Sequence, residues 1–193
     1  MLNKQSTSTK NIAANIETIL YDEECIKQRV KELGSQITRD LAGKVSSENP
    51  LMVIGILKGV IVFLADLLRE IDLPMELHFI DMESQSAGTR ETGLQELDGR
   101  ISAAVKGRYV LFVEDIVDAG LTLSFMTRLL WQSDPSCILV CTLFSKENNR
   151  MMDIELDYVG FELPPVYVVG YGLDHDEQYR NLPFVGVLKQ HNR

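Results

Sequence analysis

Tyr109-Val110-Leu111-Phe112-Val113-Glu114-Asp115-Ile116-Val117-Asp118-Ala119-Gly120-Leu121-Thr122-Leu123 is the stretch on which the fold turns. An apolar run ends in two adjacent carboxylates. A short Asp-Ala-Gly-Leu-Thr segment follows, and then Leu121, Phe125 and Leu129 recur at helical spacing. The order reads as a buried strand, an acidic strand end, a small-residue turn and the start of a helix. Such a turn aims backbone N–H groups and one hydroxyl at an anion. The carboxylates beside it would repel a bare phosphate. Together they suit a ligand with a phosphate at one end and neutral hydroxyls next to it, as in a ribose 5-phosphate.

Outward from this stretch, strands and helices alternate. Ile26, Val30, Leu33, Ile37 and Leu41 mark an amphipathic helix over 22–45, with Asp22 as its N-cap. An all-apolar run predicts a buried strand over 51–56, a helix over 60–71 ends before Pro74, and alternation predicts a strand over 75–82. Residues 83–107 are polar and contain Gly88, Gly93, Gly99 and Gly107; they read as a long loop of the kind that often forms a lid. Further strands are expected over 136–144, 158–161 and 166–170. Alternation of this kind implies a mostly parallel sheet covered on both faces, an α/β fold. Ligands then sit beyond the carboxyl ends of the strands. Three loops leave that edge: Leu57-Lys58-Gly59, the segment from Glu114 to Thr122, and the one around Asp174.

The 193 residues predict one domain over 17–193 behind a loose tail over 1–16, which carries the cluster Ser6-Thr7-Ser8-Thr9. A net charge of -9 argues against a nucleic-acid partner or an anionic membrane surface. The apolar stretch over 51–68 is broken by Gly55, Lys58, Gly59 and Asp66, so it is no membrane span. With no signal-peptide pattern at the N-terminus and three cysteines lacking metal-ligand spacing, the expectation is a cytoplasmic protein with reduced thiols.

Residues 113–123 resemble the ribose-phosphate loop of the type I phosphoribosyltransferases. Asp157-Tyr158-Val159-Gly160-Phe161, Val168-Val169-Gly170-Tyr171-Gly172-Leu173-Asp174 and Tyr179-Arg180-Asn181-Leu182-Pro183 resemble the base-binding hood of the hypoxanthine (hypoxanthine-guanine) members. Leu57-Lys58-Gly59 is similar to that family's pyrophosphate loop. The resemblance covers roughly residues 18–190, with its motifs in the family order. It implies a central parallel sheet with a small hood formed by the N-terminal segment and residues 150–190. It also implies transfer of a phosphoribosyl group from phosphoribosyl diphosphate to a 6-oxopurine, a requirement for Mg2+, and a homodimer or homotetramer.

The resemblance also implies roles. Glu114 and Asp115 would accept from ribose hydroxyls, directly or through a metal shell. Asp118 would be the general base toward the purine N7, although as an Asp it is equally placed to cap the next helix. Ala119, Gly120, Leu121 and Thr122 would cradle the 5-phosphate. Lys58, Gly59 and Arg180 would face the diphosphate, with a cis Leu57–Lys58 peptide. Tyr167 would stack on the purine, Val168 would present backbone groups to its edge, and Asp174 would join Glu114 and Asp115 around the metal.

Two departures bear on these roles. The family's lysine donor to the purine 6-oxo group is expected two residues before Asp157, where this chain has Glu155. A carboxylate cannot donate, so weakened or altered base recognition is expected. The family's Ser-Tyr lid pair reads Ser84-Gln85. These departures leave open a purine phosphoribosyltransferase, a phosphoribosyltransferase for another base, and a ligand-binding regulator that does not turn over.

Overall fold

The computed structural model describes residues 12–81 and 99–189. Five strands form one parallel sheet: β2 (Leu51–Leu57), β3 (Met75–Asp81), β4 (Tyr109–Val117), β5 (Cys137–Ser145) and β6 (Tyr158–Glu162). Their order is β3-β2-β4-β5-β6. A second sheet is antiparallel, with order β1-β8-β7, from β1 (Ile16–Tyr21), β7 (Val168–Val169) and β8 (Val185–Leu188). This is the hood.

The two-residue period of a strand divides the core into two layers. Leu51, Val53, Leu111, Val113, Cys141 and Leu143 face α1 (Glu23–Leu41) and α2 (Ile61–Glu70). Met52, Ile54, Val110, Phe112 and Val140 face α3 (Gly99–Val105) and α4 (Leu121–Trp131). The helical stripe Ile26, Val30, Leu33, Ile37 and Leu41 is buried as expected, and Asp22 caps α1 by accepting from the Cys25 N–H at 2.8 Å.

The expected loop over 83–107 is corrected at its end: Gly99–Val105 is helical. Two turns suffice because Ile101 and Val105, four apart, are both buried against the sheet. Part of the span expected as a tail is ordered. Ile12–Asn15 form a 3-10 turn, and Ile16 opens β1. On α4 the buried face is Leu123, Met126 and Leu130, while Leu121 is exposed. The strand expected over 166–170 contracts to Val168–Val169.

Tyr21 fastens the hood to the main sheet, and Arg29 ties α1 to the same strand. Tyr21 of β1 packs on Phe161 of β6 with ring centroids 4.2 Å apart, and its hydroxyl donates to the Glu162 carbonyl. Arg29 of α1 donates to the carbonyls of Val159 and Gly160.

Candidate active site

Parallel register brings the carboxyl ends of β2, β4 and β5 together, and each end feeds a loop that carries polar side chains. The β2 loop is Leu57-Lys58-Gly59, and its Leu57–Lys58 peptide is cis. Gly59 lies directly against the Asp115 carboxylate, and a side chain there would overlap it. Glycine is thus required at this close approach.

The β4 end supplies Glu114 and Asp115. Successive strand residues point to opposite faces, so the two carboxylates diverge. Asp115 turns toward Gly59 and accepts from the Ile116 N–H at 2.9 Å. Burial pushes its carboxyl up from 3.8 to about 6; the Arg180 guanidinium opposes this, and the Asp174 carboxylate reinforces it. Glu114 is raised well above the usual carboxylate range by burial, with the Asp115 charge adding to the effect.

Glu114 also lines a cavity of about 260 Å³ with Ile116, Asp118 and the loop Ala119-Gly120-Leu121-Thr122. Gly120, at φ +77°, caps α4 without a side-chain bond to its first turn. That left-handed conformation suits glycine. The first-turn N–H groups of α4 have no intrahelical partner and face the region where an anion would sit. Asp118 therefore does not cap the helix, as its residue type had suggested. Its carboxylate instead meets Lys146, with Nζ to Oδ2 at 3.3 Å.

Lys146 is the residue that the sequence reading missed. It follows the last residue of β5, its side chain is only 11% exposed, and its N–H donates to the Val117 carbonyl. Its place just beyond an apolar strand, at the same sheet edge as Glu114, was the signal available. Glu155 is corrected accordingly. It is exposed and lines a recess with Ser124, Thr127 and Trp131 on the flank of α4, a different recess from the one that Asp118 lines. The lysine that the structure sets beside Asp118 is Lys146.

The hood supplies the rest. Tyr167 is 47% exposed, its hydroxyl donates to the Asp174 carbonyl at 2.8 Å, and its ring meets His175 edge-on. Val168 is buried in β7. Arg180 reaches Asp174 at 2.9 Å and the Gly172 carbonyl at 2.9 Å. Its second nitrogen reaches Glu177, which also meets Lys58 at 3.5 Å. The structure thus joins Lys58, Asp174 and Arg180 through short contacts, sets Asp115 in their field, and joins Asp118 to Lys146. Tyr167 attaches to this set through Asp174. Ser84 and Gln85 lie outside the described residues.

Among the described residues no group of three or more ligating side chains is close enough to cage a metal. Buried carboxylates repelling one another still fit a cation shared with water and ligand oxygens, which is how Mg2+ is usually held.

A family model described as phosphoribosyl transferase domain matches residues 17–176. The hypoxanthine-guanine phosphoribosyltransferase of Streptococcus thermophilus is 42% identical over 176 residues, 91% of this chain and 95% of that protein. The crystal structure of a Staphylococcus aureus hypoxanthine phosphoribosyltransferase superposes with a TM-score of 0.80 at 36% identity, covering 95% of this chain and 99% of that one. The Trypanosoma cruzi hypoxanthine phosphoribosyltransferase in complex with the product IMP gives 0.80 at 35% identity over 92% of each chain. With its site geometry and these likenesses in agreement, the chain belongs to the phosphoribosyltransferase family, in its hypoxanthine-guanine branch.

Proposed function

We propose that the protein transfers the 5-phosphoribosyl group of phosphoribosyl diphosphate to hypoxanthine or guanine, giving IMP or GMP and diphosphate. The observation that carries the base assignment is the Lys146–Asp118 pair, 3.3 Å apart at the mouth of the phosphate loop. A 6-oxopurine presents an acceptor, the oxo group, beside a donor, the N7–H. A lysine ammonium can only donate and a carboxylate can only accept, so the pair matches that edge. Adenine presents an amino donor to the lysine and is refused.

In the transfer, the C1–O bond to diphosphate breaks and a bond forms from C1 to the purine N9. The N7 proton passes to Asp118. Ala119, Gly120, Leu121 and Thr122 hold the 5-phosphate. Glu114 and Asp115 hold the ribose hydroxyls and favour positive charge developing on the sugar. Tyr167 covers the purine face, and Val168 offers its backbone to the ring edge. Lys58, Gly59 and Arg180 receive the leaving diphosphate. Asp115 and Asp174, with Glu114 behind them, would hold Mg2+, which when bound neutralises charge on the diphosphate.

We assign residues 17–193 to one catalytic unit and place it in the cytoplasm, where the free thiols Cys25, Cys137 and Cys141 stay reduced. A homodimer or homotetramer is supported by the exposed Leu77 and Phe79 on the edge strand β3. The test is a panel of bases with phosphoribosyl diphosphate and Mg2+, following diphosphate release. Hypoxanthine and guanine should support release and adenine should not. Tight ligand binding with no release for any base would make the protein a regulator.

A further inference from the structure

We propose that Glu177 is a built-in rival of the diphosphate: its carboxylate bridges Lys58 and Arg180 and must be displaced when substrate enters. The proposal rests on the transferase reading above and deepens it. Lys58 and Arg180 come from loops far apart in sequence. One carboxylate spans them, with Oε1 3.2 Å from Arg180 Nη2 and Oε2 3.5 Å from Lys58 Nζ. A bidentate anion between an ammonium and a guanidinium is the arrangement a diphosphate would adopt there.

The backbone is shaped to present this side chain. Asp176 and Glu177 have φ +51° and +61°, a region that few non-glycine residues occupy. The turn is closed by the His175–Gln178 bridge and by the Glu177 N–H donating to Asp174 Oδ2 at 3.0 Å. Hydrogen bonding to the Arg180 guanidinium holds the Glu177 carboxyl below its usual range, so it stays ionised. Its side chain is 59% exposed. Pairs this open to water are weak, so a diphosphate, with more charge and more oxygens, displaces the carboxylate easily. Glu177 therefore acts on substrate affinity and product release without touching the reacting atoms.

A brace and a rival differ in the sign of their removal. If Glu177 only stiffens the turn, deleting its charge weakens diphosphate binding. If it competes, deletion strengthens binding. Glu177→Gln should lower the Kd for inorganic diphosphate with Mg2+, by calorimetry, about three- to tenfold, since two exposed pairs are lost. The KM for phosphoribosyl diphosphate should fall alongside, with the KM for hypoxanthine unchanged. Glu177→Asp, which keeps the charge but shortens the reach, should fall between and serves if Glu177→Gln does not fold. Equal or weaker diphosphate binding in the folded variants overturns the proposal. A wild-type protein that binds no diphosphate overturns the transferase reading, and this proposal with it.

Discussion

Nζ of Lys146 stands 3.3 Å from Oδ2 of Asp118, although the two residues lie at the ends of different strands. The contact puts a donor and an acceptor side by side where a 6-oxopurine carries the complementary groups. Removing the donor leaves a buried oxo group without its charged partner, a loss of about 1.5–3 kcal/mol. Lys146→Ala should therefore lower kcat/KM for hypoxanthine and guanine by roughly 10- to 100-fold. It should narrow the preference over adenine and leave phosphoribosyl diphosphate binding nearly unchanged. Steady-state kinetics with all three bases decides this, and unchanged base preference would remove Lys146 from the base site.

In the proposed transfer Asp118 has the complementary role. Asp118→Asn keeps the shape of the side chain but removes its ability to take the N7 proton. Turnover should fall by about 10²- to 10⁴-fold, the usual range for a lost general base. Calorimetric affinity for phosphoribosyl diphosphate should change far less. Equal losses in both would make Asp118 a binding residue and no base.

Glu155 lines a different recess from Asp118, and the reason is physical. Motif spacing placed the base-recognising donor in the irregular segment before β6. The parallel register instead sets Lys146, at the end of β5, beside the phosphate loop, and leaves Glu155 on the flank of α4. Glu155→Lys should accordingly give no gain in hypoxanthine or guanine use. A clear rise in kcat/KM for either base would return Glu155 to the site.

The elements that were legible have strong periodicity or unbroken apolar runs, as in α1, β2 and β4. Those that were not are short or irregular. β1 has bulges in its pairing with β8, so its exposed residues Glu17, Thr18 and Ile19 run consecutively and no alternation shows. β8 has four residues, all buried, too few to display a period. In the site, Asp115 and Gly59 were legible from the loops that carry them. The Glu177 bridge was not, because it joins residues more than a hundred positions apart through a left-handed turn.

The acidic pair ties stability to pH. The folded-state value of Asp115 is about 6 against an ordinary 3.8, and Glu114 is displaced in the same direction. A carboxyl raised in this way binds its proton more tightly when folded. Its favourable contribution is complete below the unfolded value and is lost as pH rises through the folded one, from about 4 to about 6. At neutral pH the free protein therefore carries a charge it would rather neutralise. Asp115→Asn should raise the Tm of the ligand-free protein at neutral pH by a few degrees, about 1–2 kcal/mol after allowing for its remaining contact with water. The gain should shrink toward pH 4 while activity falls sharply at every pH. A lower Tm at neutral pH would show that the Asp115 charge is compensated in the free protein.

The same carboxylate limits what position 59 can hold. A β-carbon on Gly59 would overlap the Asp115 side chain, so Gly59→Ala must displace either the carboxylate or the loop that carries Lys58. Forcing a methyl group into such a contact costs about 1–3 kcal/mol. The damage to function should be larger than the damage to stability, because the displaced groups are those assigned to the metal and the diphosphate. Gly59→Ala should raise the KM for phosphoribosyl diphosphate and lower kcat while leaving the Tm within several degrees of wild type. Combining it with Asp115→Ala, which removes the overlap, should restore the lost Tm but not the activity. If the double variant stays as unstable as Gly59→Ala alone, the clash is not with Asp115, and the close approach of the two loops does not explain the glycine.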